Sequence, residues 1–370
     1  MKRILQIFGE PLASGGQEAF IMNIYRAIDK SQVQFDFFTP FCCTNPDLRR
    51  EIENLGGKVF EGGGRFLNEG NKNDFVNNLS EFLLQNKYDT VHIHSGSIFS
   101  LCFGAKIAKK HGAKKIIVHS HATGNKNIKH SVIKFISRKV FLKNATHYCA
   151  CSKIAAEWKF PDKITKNNRY HIIPNGIDTV RFTFSDTTRN EYREKLCIKD
   201  RFVLCHVGRF SGEKNHPFLL DVYKKVKQQN PDACLLLVGE GPDRDAINEY
   251  IAQNEIKDVH LLGVRSDISE IMQAADVFVF PSLFEGLGIA AIEAQSVGLP
   301  TFCSEFIPDE ANATPAFKRL SVSDGADRWA KAILSTCQND RKHYSEMVRE
   351  NGFDSASSAQ KILNLYLENI

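Results

Sequence analysis

The sequence lacks the long apolar runs of a membrane protein and the cysteine pattern of a disulfide-rich one. No window in its 370 residues approaches the roughly 18 uninterrupted apolar residues that a membrane span needs. The ten cysteines are scattered and none has C-x-x-C spacing, which argues against a disulfide framework, a zinc site and a thioredoxin motif. The apolar run at residues 4–8 is shorter than the roughly 7–15 residues of a signal-peptide core, so it predicts a first strand. We therefore expect a cytoplasmic protein.

Acidic residues are absent between Asp89 and Glu157, although the net charge of the chain is only +5. A block of basic residues in the same stretch is typical either of a surface that attracts anions or of a solvated, lysine-rich face. We expect no nucleic-acid partner. The basic residues are Lys106, Lys109, Lys110, Lys114, Lys115, Lys126, Lys129, Lys134, Arg138, Lys139, Lys143 and Lys153.

Part of this block predicts an amphipathic helix. Residues 128–143 place apolar side chains at helical spacing among basic ones, and such a helix either lies on anionic lipid or packs against its own sheet. Peripheral attachment to the inner face of the cell membrane is therefore one expectation. The apolar positions are Ile128, Val132, Ile133, Ile136 and Val140.

Short apolar runs alternate with helical patterns along most of the chain, as in parallel α/β folds. The pattern predicts two doubly wound, Rossmann-like domains. Predicted strands cover residues 3–8, 35–41, 90–94, 115–121, 146–150, 202–207, 234–238, 259–262, 276–280 and 301–303. Predicted helices include residues 18–28, 74–84, 217–229 and 243–253.

Proline and Asn-Gly at Pro174, Asn175 and Gly176 break helix and strand alike, so the domain boundary is placed there. We predict a first domain at residues 1–178 and a second at 190–352. The polar run 355–358 is expected to precede a final helix that extends to residue 370.

The most informative segment lies at residues 280–300. A predicted strand ends at Pro281, a loop with Glu285 and Gly286 follows, and a helix opens near Gly288. Free N–H groups at a helix start bind anions, and glycine allows a phosphate to approach the backbone. Glu293 falls among apolar helix residues, where a carboxylate is costly unless a partner satisfies it. That partner is either a ligand hydroxyl or an internal cation.

A second cluster, residues 208–215, follows the strand predicted at 202–207. Arg209 and Lys214 lie five residues apart on a loop with two glycines, and they either clamp one diphosphate or are ordinary surface cations. The turn at Gly239 follows another strand end, where open α/β sheets bind ligands.

The first half of the chain offers weaker signals. Its glycine turn at residues 14–18 lacks the G-x-G-x-x-G spacing, so a Rossmann dehydrogenase is not supported. His92, His94, His119 and His121 form two H-x-H pairs, but no acidic residue is near in sequence, and we predict no metal. Asp243-x-Asp245 is interpreted as acidity at a helix start, not as a metal ligand.

In this order the motifs resemble glycosyltransferase family 4, retaining enzymes of the GT-B fold, over nearly the whole chain. The resemblance is strongest from residue 172 to residue 300. Its most specific element is the E-x7-E motif, Glu285 to Glu293, and weaker elements lie at residues 174–178, 208–215 and 238–242.

The resemblance implies a cytoplasmic or peripheral transferase in polysaccharide or capsule assembly. Its substrates would be a nucleotide-sugar donor, expected to be a UDP-sugar, and a glycan or lipid-linked acceptor. The donor would bind the second domain and the acceptor the first, across a cleft, with the final helix packed on the first domain. No cofactor or metal is implied, because Arg209 and Lys214 would stand in the place of a metal.

The resemblance also implies residue roles. Glu285 would hold donor-sugar hydroxyls, Glu293 the ribose, and His121 the transferred sugar. The other proposed donor-site positions are Arg209 and Lys214 with the backbone of Leu287, Gly288 and Ile289 at the diphosphate, Gly16 on the phosphate side, and Gly239, Gly263, Val264 and Arg265 at the base.

Two alternatives remain open from the sequence. One is a nucleotide-sugar epimerase of the same architecture, and the other is a catalytically silent nucleotide-sugar-binding module. A pyridoxal-phosphate phosphorylase would usually need a much longer chain.

Overall fold

A computed structural model describes residues 1–13, 15–64, 72–121, 128–336 and 340–368, without the side chains of residues 128–132 and 136. Its elements alternate as the sequence pattern predicts. The first half contains β1 (Lys2–Phe8), α1 (Gly16–Ala27), β2 (Val33–Thr39), α2 (Pro46–Asn54), β3 (Val59–Glu61), α3 (Lys72–Gln85), β4 (Thr90–Ser95), α4 (Ile98–Lys110), β5 (Lys115–Ser120), α5 (Ile128–Asn144), β6 (His147–Ala150), α6 (Lys153–Lys159), α7 (Asp162–Thr165) and β7 (His171–Ile172).

The second half continues the alternation and ends in a helix. It contains α8 (Asp186–Lys195), β8 (Phe202–Val207), α9 (His216–Gln229), β9 (Ala233–Val238), α10 (Arg244–Gln253), β10 (Val259–Gly263), α11 (Ile268–Ala274), β11 (Val277–Phe280), α12 (Ile289–Ser296), β12 (Thr301–Ser304), β13 (Phe317–Leu320), α13 (Gly325–Leu334), α14 (Tyr344–Val348) and α15 (Ser355–Leu367).

The chain divides into two compact units. The first comprises residues 1–176 and 355–370, and the second residues 177–354. The last helix therefore belongs to the first unit, although it follows the second in sequence.

Each unit has one parallel sheet with its own core. The first sheet has the order β3-β2-β1-β4-β5-β6-β7 and the second β10-β9-β8-β11-β12-β13. Phe20, Tyr25 and Tyr366 lie in the core of the first unit, and Tyr223 and Trp329 in that of the second. In both sheets the order reverses once, between β1 and β4 and between β8 and β11. Ligands of doubly wound folds bind outside the carboxyl ends of the strands at this reversal.

Several predicted boundaries were wrong. β5 ends at Ser120, so His121 follows the strand instead of closing it, and β2 ends at Thr39. Residues 355–358 form the first turn of α15 and do not precede it, while Gly352 (φ 82°) interrupts the chain just before. The predicted end of this helix at residue 370 lies outside the described residues.

Three strands were missed: β3, β7 and β13. Each is at an edge of its sheet and has only two to four residues. Edge strands are covered on fewer sides than central ones, so they lack the continuous apolar run that signals a buried strand.

Candidate functional site

The reversal point of the second sheet is where the two most informative loops meet. The 208–215 loop follows β8 and the 281–288 loop follows β11, the neighbouring strands at the reversal. The backbone N–H of Leu283 donates to the carbonyl of Glu213 over 2.7 Å and ties the loops together. Two loops that are far apart in sequence are thereby brought to one edge of the sheet.

Lys214 and Glu285 form an ion pair across these loops. The Lys214 ammonium donates to Glu285 Oε1, and the two side chains are only 15% and 12% exposed. The Lys214 Nζ also lies 5.0 Å from the centre of the Phe280 ring, a favourable position for a cation. Because the pair is shielded from water, its charges act more strongly on a ligand than charges in solvent would.

Arg209 is the free cation of this loop. Its side chain is exposed, and in the part of the chain that the structure describes its guanidinium has neither an ion pair nor a hydrogen bond. A guanidinium stays charged at any physiological pH and offers five N–H donors. Arg209 is therefore available to an anionic ligand, whereas Lys214 is shared with Glu285.

Glycine allows the 208–215 loop to pack on the turn after β9. A Cβ at Gly239 (φ 142°) would lie 2.0 Å from the Gly208 carbonyl oxygen, and one at Gly241 would lie 2.2 Å from that of Phe210. The Phe210 N–H donates to the Glu240 carbonyl over 2.9 Å. Larger residues at these two positions would push the Arg209 loop away from the sheet.

The start of α12 has no side-chain cap among the described residues. Gly288 adopts the left-handed conformation (φ 88°, ψ 57°) immediately before the helix, and no side chain caps the first turn. The first N–H groups of a helix have no partner within the helix, and they carry the positive end of its dipole. Leu287, Gly288 and Ile289, the predicted diphosphate positions, lie at this end.

Glu293 lies one turn into α12, and no described residue pairs with its carboxylate. Burial raises the pKa of its carboxyl to about 7, and the charge of Arg181 opposes this rise only in part. Among the described residues no side chain or backbone group donates to this carboxylate. A ligand hydroxyl would satisfy it, as the sequence predicts. Of the two partners proposed from the sequence, an internal salt bridge is not formed within the described ranges.

The residues of the predicted base-binding segment differ in whether they are free to contact a ligand. Val264 is 65% exposed. The Arg265 Nε donates to Asp267 over 2.7 Å, and this hydrogen bond is the main reason why the pKa of Asp267 falls to about 2. Arg265 is thus paired with Asp267. Of the predicted base-binding positions, Val264 and the turn at Gly239 remain available to a ligand.

In the first unit, the carboxyl ends of β4 and β5 hold four histidines whose rings contact one another. His94 Nδ1 lies 2.9 Å from His121 Nε2, and His92 Nε2 lies 3.2 Å from His119 Nδ1. Phe20 packs against His119 and His121, with ring centroids 4.9 and 5.0 Å away. Gly16, the other predicted position of this unit, is the first residue of α1. Ser14 lies outside the described residues.

Three of these histidines also have the spacing of a metal site. Ligand nitrogens of His92, His94 and His119 lie within 4.8 Å of one another. Both ring nitrogens of His92 and of His94 are already hydrogen-bonded, however, to protein groups. A cation would have to displace these bonds, so the residues fit a hydrogen-bonded cluster better than a metal centre.

Glu10 is a candidate functional residue of the first unit that was not predicted from the sequence. It follows β1, accepts from Ser95 Oγ over 2.7 Å and from Gln17 over 3.4 Å, and burial raises its pKa to about 7. Nearby, burial lowers the pKa of Lys159 to about 8. The signal that could have found it is an acidic residue at the carboxyl end of the first strand, beside the reversal of the sheet.

The basic block of residues 106–153 is only partly a surface. Lys106, Lys109, Arg138 and Lys139 are exposed, but Lys115 is 2% exposed and donates to carbonyls of α15. The interpretation of Lys115 as a surface cation was therefore wrong. Lys126 and the side chain of Lys129 lie outside the described residues.

α5 packs on its own unit through Ser137, Phe141 and Asn144, while Ile133 and Phe135 are 50% and 75% exposed. The side chains of Ile128, Val132 and Ile136 are outside the described set. None of the described helices is both long and apolar enough to cross a membrane.

Comparisons with known proteins give the family. Residues 14–181 match the family described as Glycosyltransferase Family 4, and residues 188–353 match Glycosyl transferases group 1. The putative glycosyltransferase EpsF of Bacillus subtilis (strain 168) is 34% identical over 99% of this chain and 96% of its own length. The chain belongs to glycosyltransferase family 4. The family resemblance of the sequence motifs is thereby confirmed.

Two further relatives of this family 4 glycosyltransferase are informative. UDP-Gal:alpha-D-GlcNAc-diphosphoundecaprenol alpha-1,3-galactosyltransferase of Escherichia coli is 26% identical over 90% of this chain and 83% of its own. The crystal structure of Anabaena Alr3699/HepE in complex with UDP and glucose superposes with a TM-score of 0.77, at 17% identity, over the whole of both chains. The prediction of a GT-B fold with two Rossmann-like domains is confirmed.

Proposed function

We propose that this glycosyltransferase moves a hexosyl group from a UDP-sugar to a glycan or lipid-linked acceptor, with retention of the anomeric configuration, in polysaccharide assembly. The support for a UDP donor is that the E. coli relative is named for UDP-Gal and that the HepE structure contains UDP and glucose. The observation that weighs most is the shielded Lys214–Glu285 ion pair beside the uncapped start of α12.

The proposed site divides the donor among these groups. Arg209, Lys214 and the first N–H groups of α12 bind the diphosphate, Glu285 accepts from hydroxyls of the sugar, and Glu293 accepts from the ribose. The turn at Gly239 and Val264 contact the base. Gly16 and His121 of the first unit contribute on the phosphate and sugar sides.

In the proposed reaction an acceptor hydroxyl attacks the anomeric carbon from the face that the diphosphate leaves. The new bond forms from the acceptor oxygen to the anomeric carbon, the bond to the phosphate oxygen breaks, and the departing phosphate takes the hydroxyl proton. Lys214 and Arg209 stabilise the negative charge that builds on the leaving group. This assignment of charge requires no metal, so activity should be unchanged in EDTA.

A transfer assay with a panel of UDP-sugars, read by the anomeric NMR signals of donor and product, tests the proposal. Lys214→Ala and Glu285→Ala should each lose about 10² or more of turnover, the scale for one preorganised electrostatic group. Lys225→Ala, which removes an ion pair on the surface of the same unit, is the matched control. Near-normal activity in both site variants, or product of inverted configuration, would contradict the proposal.

Glu10 allows a test of the alternative retaining route. Double displacement requires a carboxylate nucleophile, and its removal abolishes turnover. Same-face attack does not require a carboxylate nucleophile. Glu10→Gln should therefore keep activity within about tenfold of the wild type, a smaller loss than that from removing one electrostatic group. Donor incubated without acceptor should stay unchanged, since epimerised donor would indicate an epimerase instead.

We also propose that α5 contacts an anionic membrane surface. Ile133 and Phe135 are exposed beside Arg138 and Lys139, and apolar and basic side chains together are what an anionic interface binds. Phe135→Ser should reduce co-sedimentation with vesicles that contain anionic lipid. Phe306→Ser, at a phenylalanine of the second unit that is 49% exposed, should not. Co-sedimentation that does not depend on anionic lipid would end the proposal.

A further inference from the structure

The four histidines at the ends of β4 and β5 belong to one unbranched chain of hydrogen bonds. His121 contacts His94, and His94 Nε2 lies 2.9 Å from Gln6 Oε1. The Gln6 amide nitrogen donates to the Tyr366 hydroxyl over 3.0 Å. The Tyr366 hydroxyl lies 2.7 Å from His92 Nδ1, and His92 contacts His119. The order along the chain is His121, His94, Gln6, Tyr366, His92 and His119.

Burial keeps all four imidazoles neutral. It lowers the pKa of His121 to about 3 and those of His92, His94 and His119 well below the ordinary histidine value. A neutral imidazole has one N–H and one lone pair, so the role of either nitrogen fixes the role of the other. One oriented group therefore determines the protons of every imidazole that is linked to it without an intervening hydroxyl.

The Gln6 amide is that group. Its oxygen faces His94, so His94 Nε2 must carry a hydrogen and donate. His94 Nδ1 then accepts, and His121 Nε2 must donate to it. It follows that His121 Nδ1 bears a lone pair. Turning the amide over would invert the donor and acceptor roles of the His94 and His121 nitrogens.

The two ends of the chain have no partner within the part of the protein that the structure describes. His121 Nδ1 and His119 Nε2 are both buried and unpaired among the described residues. At the His121 end this leaves an acceptor without a donor, at the carboxyl end of β5. A buried acceptor of this kind is satisfied when a ligand supplies an O–H or N–H group.

We infer that Gln6 is a positioning residue that fixes the tautomer of His121, and that Tyr366 holds the Gln6 amide by accepting from its nitrogen. His121 Nδ1 then accepts a hydrogen bond from a hydroxyl of the bound donor sugar. The identification of the ligand as a donor sugar rests on the proposed function, whereas the assignment of the His121 tautomer does not. Tyr366 lies on α15, so the last helix of the chain sets the hydrogen-bonding role of a residue 245 positions earlier.

The tautomer can be measured directly on the full-length protein with ¹⁵N-labelled histidine. Long-range ¹H–¹⁵N spectra should show His121 protonated at Nε2 and unprotonated at Nδ1, with the signal assigned from its loss in His121→Asn. A wild-type His121 protonated at Nδ1 would overturn the inference. This measurement needs neither a donor nor activity, so it stands even where no transfer is detected.

Two matched variants test whether the chain sets the tautomer. Tyr366→Phe keeps the core ring but removes the hydroxyl that accepts from the Gln6 amide nitrogen, so the amide can turn over and His121 should show both tautomers. Tyr148→Phe removes a buried hydroxyl that bonds to the Phe141 carbonyl and leaves the chain intact, so its His121 signals should match those of the wild type. Unchanged His121 signals in Tyr366→Phe would contradict the positioning role.

Donor binding tests the proposed partner of Nδ1. The probe is UDP-glucose or UDP-galactose, whichever of the two raises the thermal unfolding midpoint of the protein. It is added at a saturating concentration. The sugar nucleotide should shift the His121 Nδ1 resonance in the direction of an accepted hydrogen bond, and UDP alone should not. No shift, or an equal shift with UDP, would contradict the contact. In Tyr366→Phe, equal tautomer populations would raise the donor KM about twofold, because half of the molecules present the wrong nitrogen.

Discussion

At the scale of single residues, the second unit combines an ion pair with a free cation and a free carboxylate. Lys214 and Glu285 neutralise one another, whereas Arg209 and Glu293 have no partner among the described residues. An unpaired, half-buried carboxylate costs stability, because water is removed from the charge and nothing replaces it. Such a cost at a position between buried alanine and isoleucine side chains is a mark of a binding site.

Glu293→Gln should therefore stabilise the protein at high pH. The folded-state pKa of about 7 is above the ordinary value of 4.5, so the folded protein binds the extra proton and loses stability as the pH rises through this window. The loss is complete above pH 7 and corresponds to roughly 3 kcal/mol at most. Thermal unfolding at pH 8 should show a higher midpoint in Glu293→Gln, with no difference at pH 4.

The exposed Glu191→Gln is the matched control and should stay within about 0.5 kcal/mol at both pH values. Equal stability of Glu293→Gln and wild type at pH 8 would mean that the carboxylate is solvated or paired.

The motif residues could be predicted because short sequence spacing places them. Glu285 and Glu293 are eight positions apart, and the strand, loop and helix around them are set by local pattern. The pairing of Lys214 with Glu285 and the partners of His121 could not be predicted. They join residues 71 and 27 positions apart, and Gln6 and Tyr366 are 360 apart. Strand order and the packing of α15 on the first sheet bring such residues together.

At the scale of elements, glycine fixes where α12 begins. Gly288 has φ 88°, and the nearest atom to a Cβ placed there is 3.4 Å away, so a substitution would be opposed by the backbone and not by crowding. Residues other than glycine are strained in this region by about 1–2 kcal/mol.

Gly288→Ala should therefore lower the free energy of unfolding by about 1 kcal/mol and weaken binding of UDP, because the first N–H groups of α12 turn away from the diphosphate. Urea unfolding and UDP titration measure both effects. Gly212→Ala is the control, since Gly212 has no positive φ and no atom within 4 Å of the position that a Cβ would take. Equal effects of the two substitutions would contradict this account.

A buried lysine attaches the last helix to the first sheet. The Lys115 ammonium donates over 2.6 Å to the carbonyls of Leu365 and Glu368, at the C-terminal end of α15. A cation at this position satisfies carbonyls that the helix leaves free, and it complements the negative end of the dipole.

Lys115→Met should destabilise the protein by about 2 kcal/mol and speed hydrogen exchange in the last turns of α15. Lys114→Met removes an exposed ion pair with Asp89 and should change stability by less than about 1 kcal/mol. Exchange in α15 that is as slow in Lys115→Met as in Lys114→Met would show that the helix is held by packing alone.

Elements were predictable where burial is complete and not where it is partial. Central strands such as β8 and β9 read as continuous apolar runs, and their predicted bounds match the observed ones within a residue. The edge strand β13, with two exposed basic residues among four, gives no such signal. The start of α15 was misplaced because serines at 355–358 resemble a loop, although they begin the helix.

At the scale of the whole molecule, one architecture occurs twice. Each unit has a parallel sheet that reverses its strand order once, and candidate residues lie at that reversal: Glu10 in the first unit, and Lys214 and Glu293 in the second. His121 follows β5, the strand next to the reversal. The repetition was evident from strand and helix alternation. The assignment of α15 to the first unit depends on contacts of Tyr366 and Lys115 that no local pattern encodes.

The second unit is proposed to bind the diphosphate of a sugar nucleotide through Arg209, Lys214 and the start of α12. Isothermal titration of UDP into the wild type, Arg209→Met and the surface control Arg328→Met tests this proposal most directly. We expect saturable binding to the wild type and the control, and an affinity at least roughly tenfold weaker in Arg209→Met, the scale of one charge-assisted contact. Equal UDP affinity in all three proteins would contradict it.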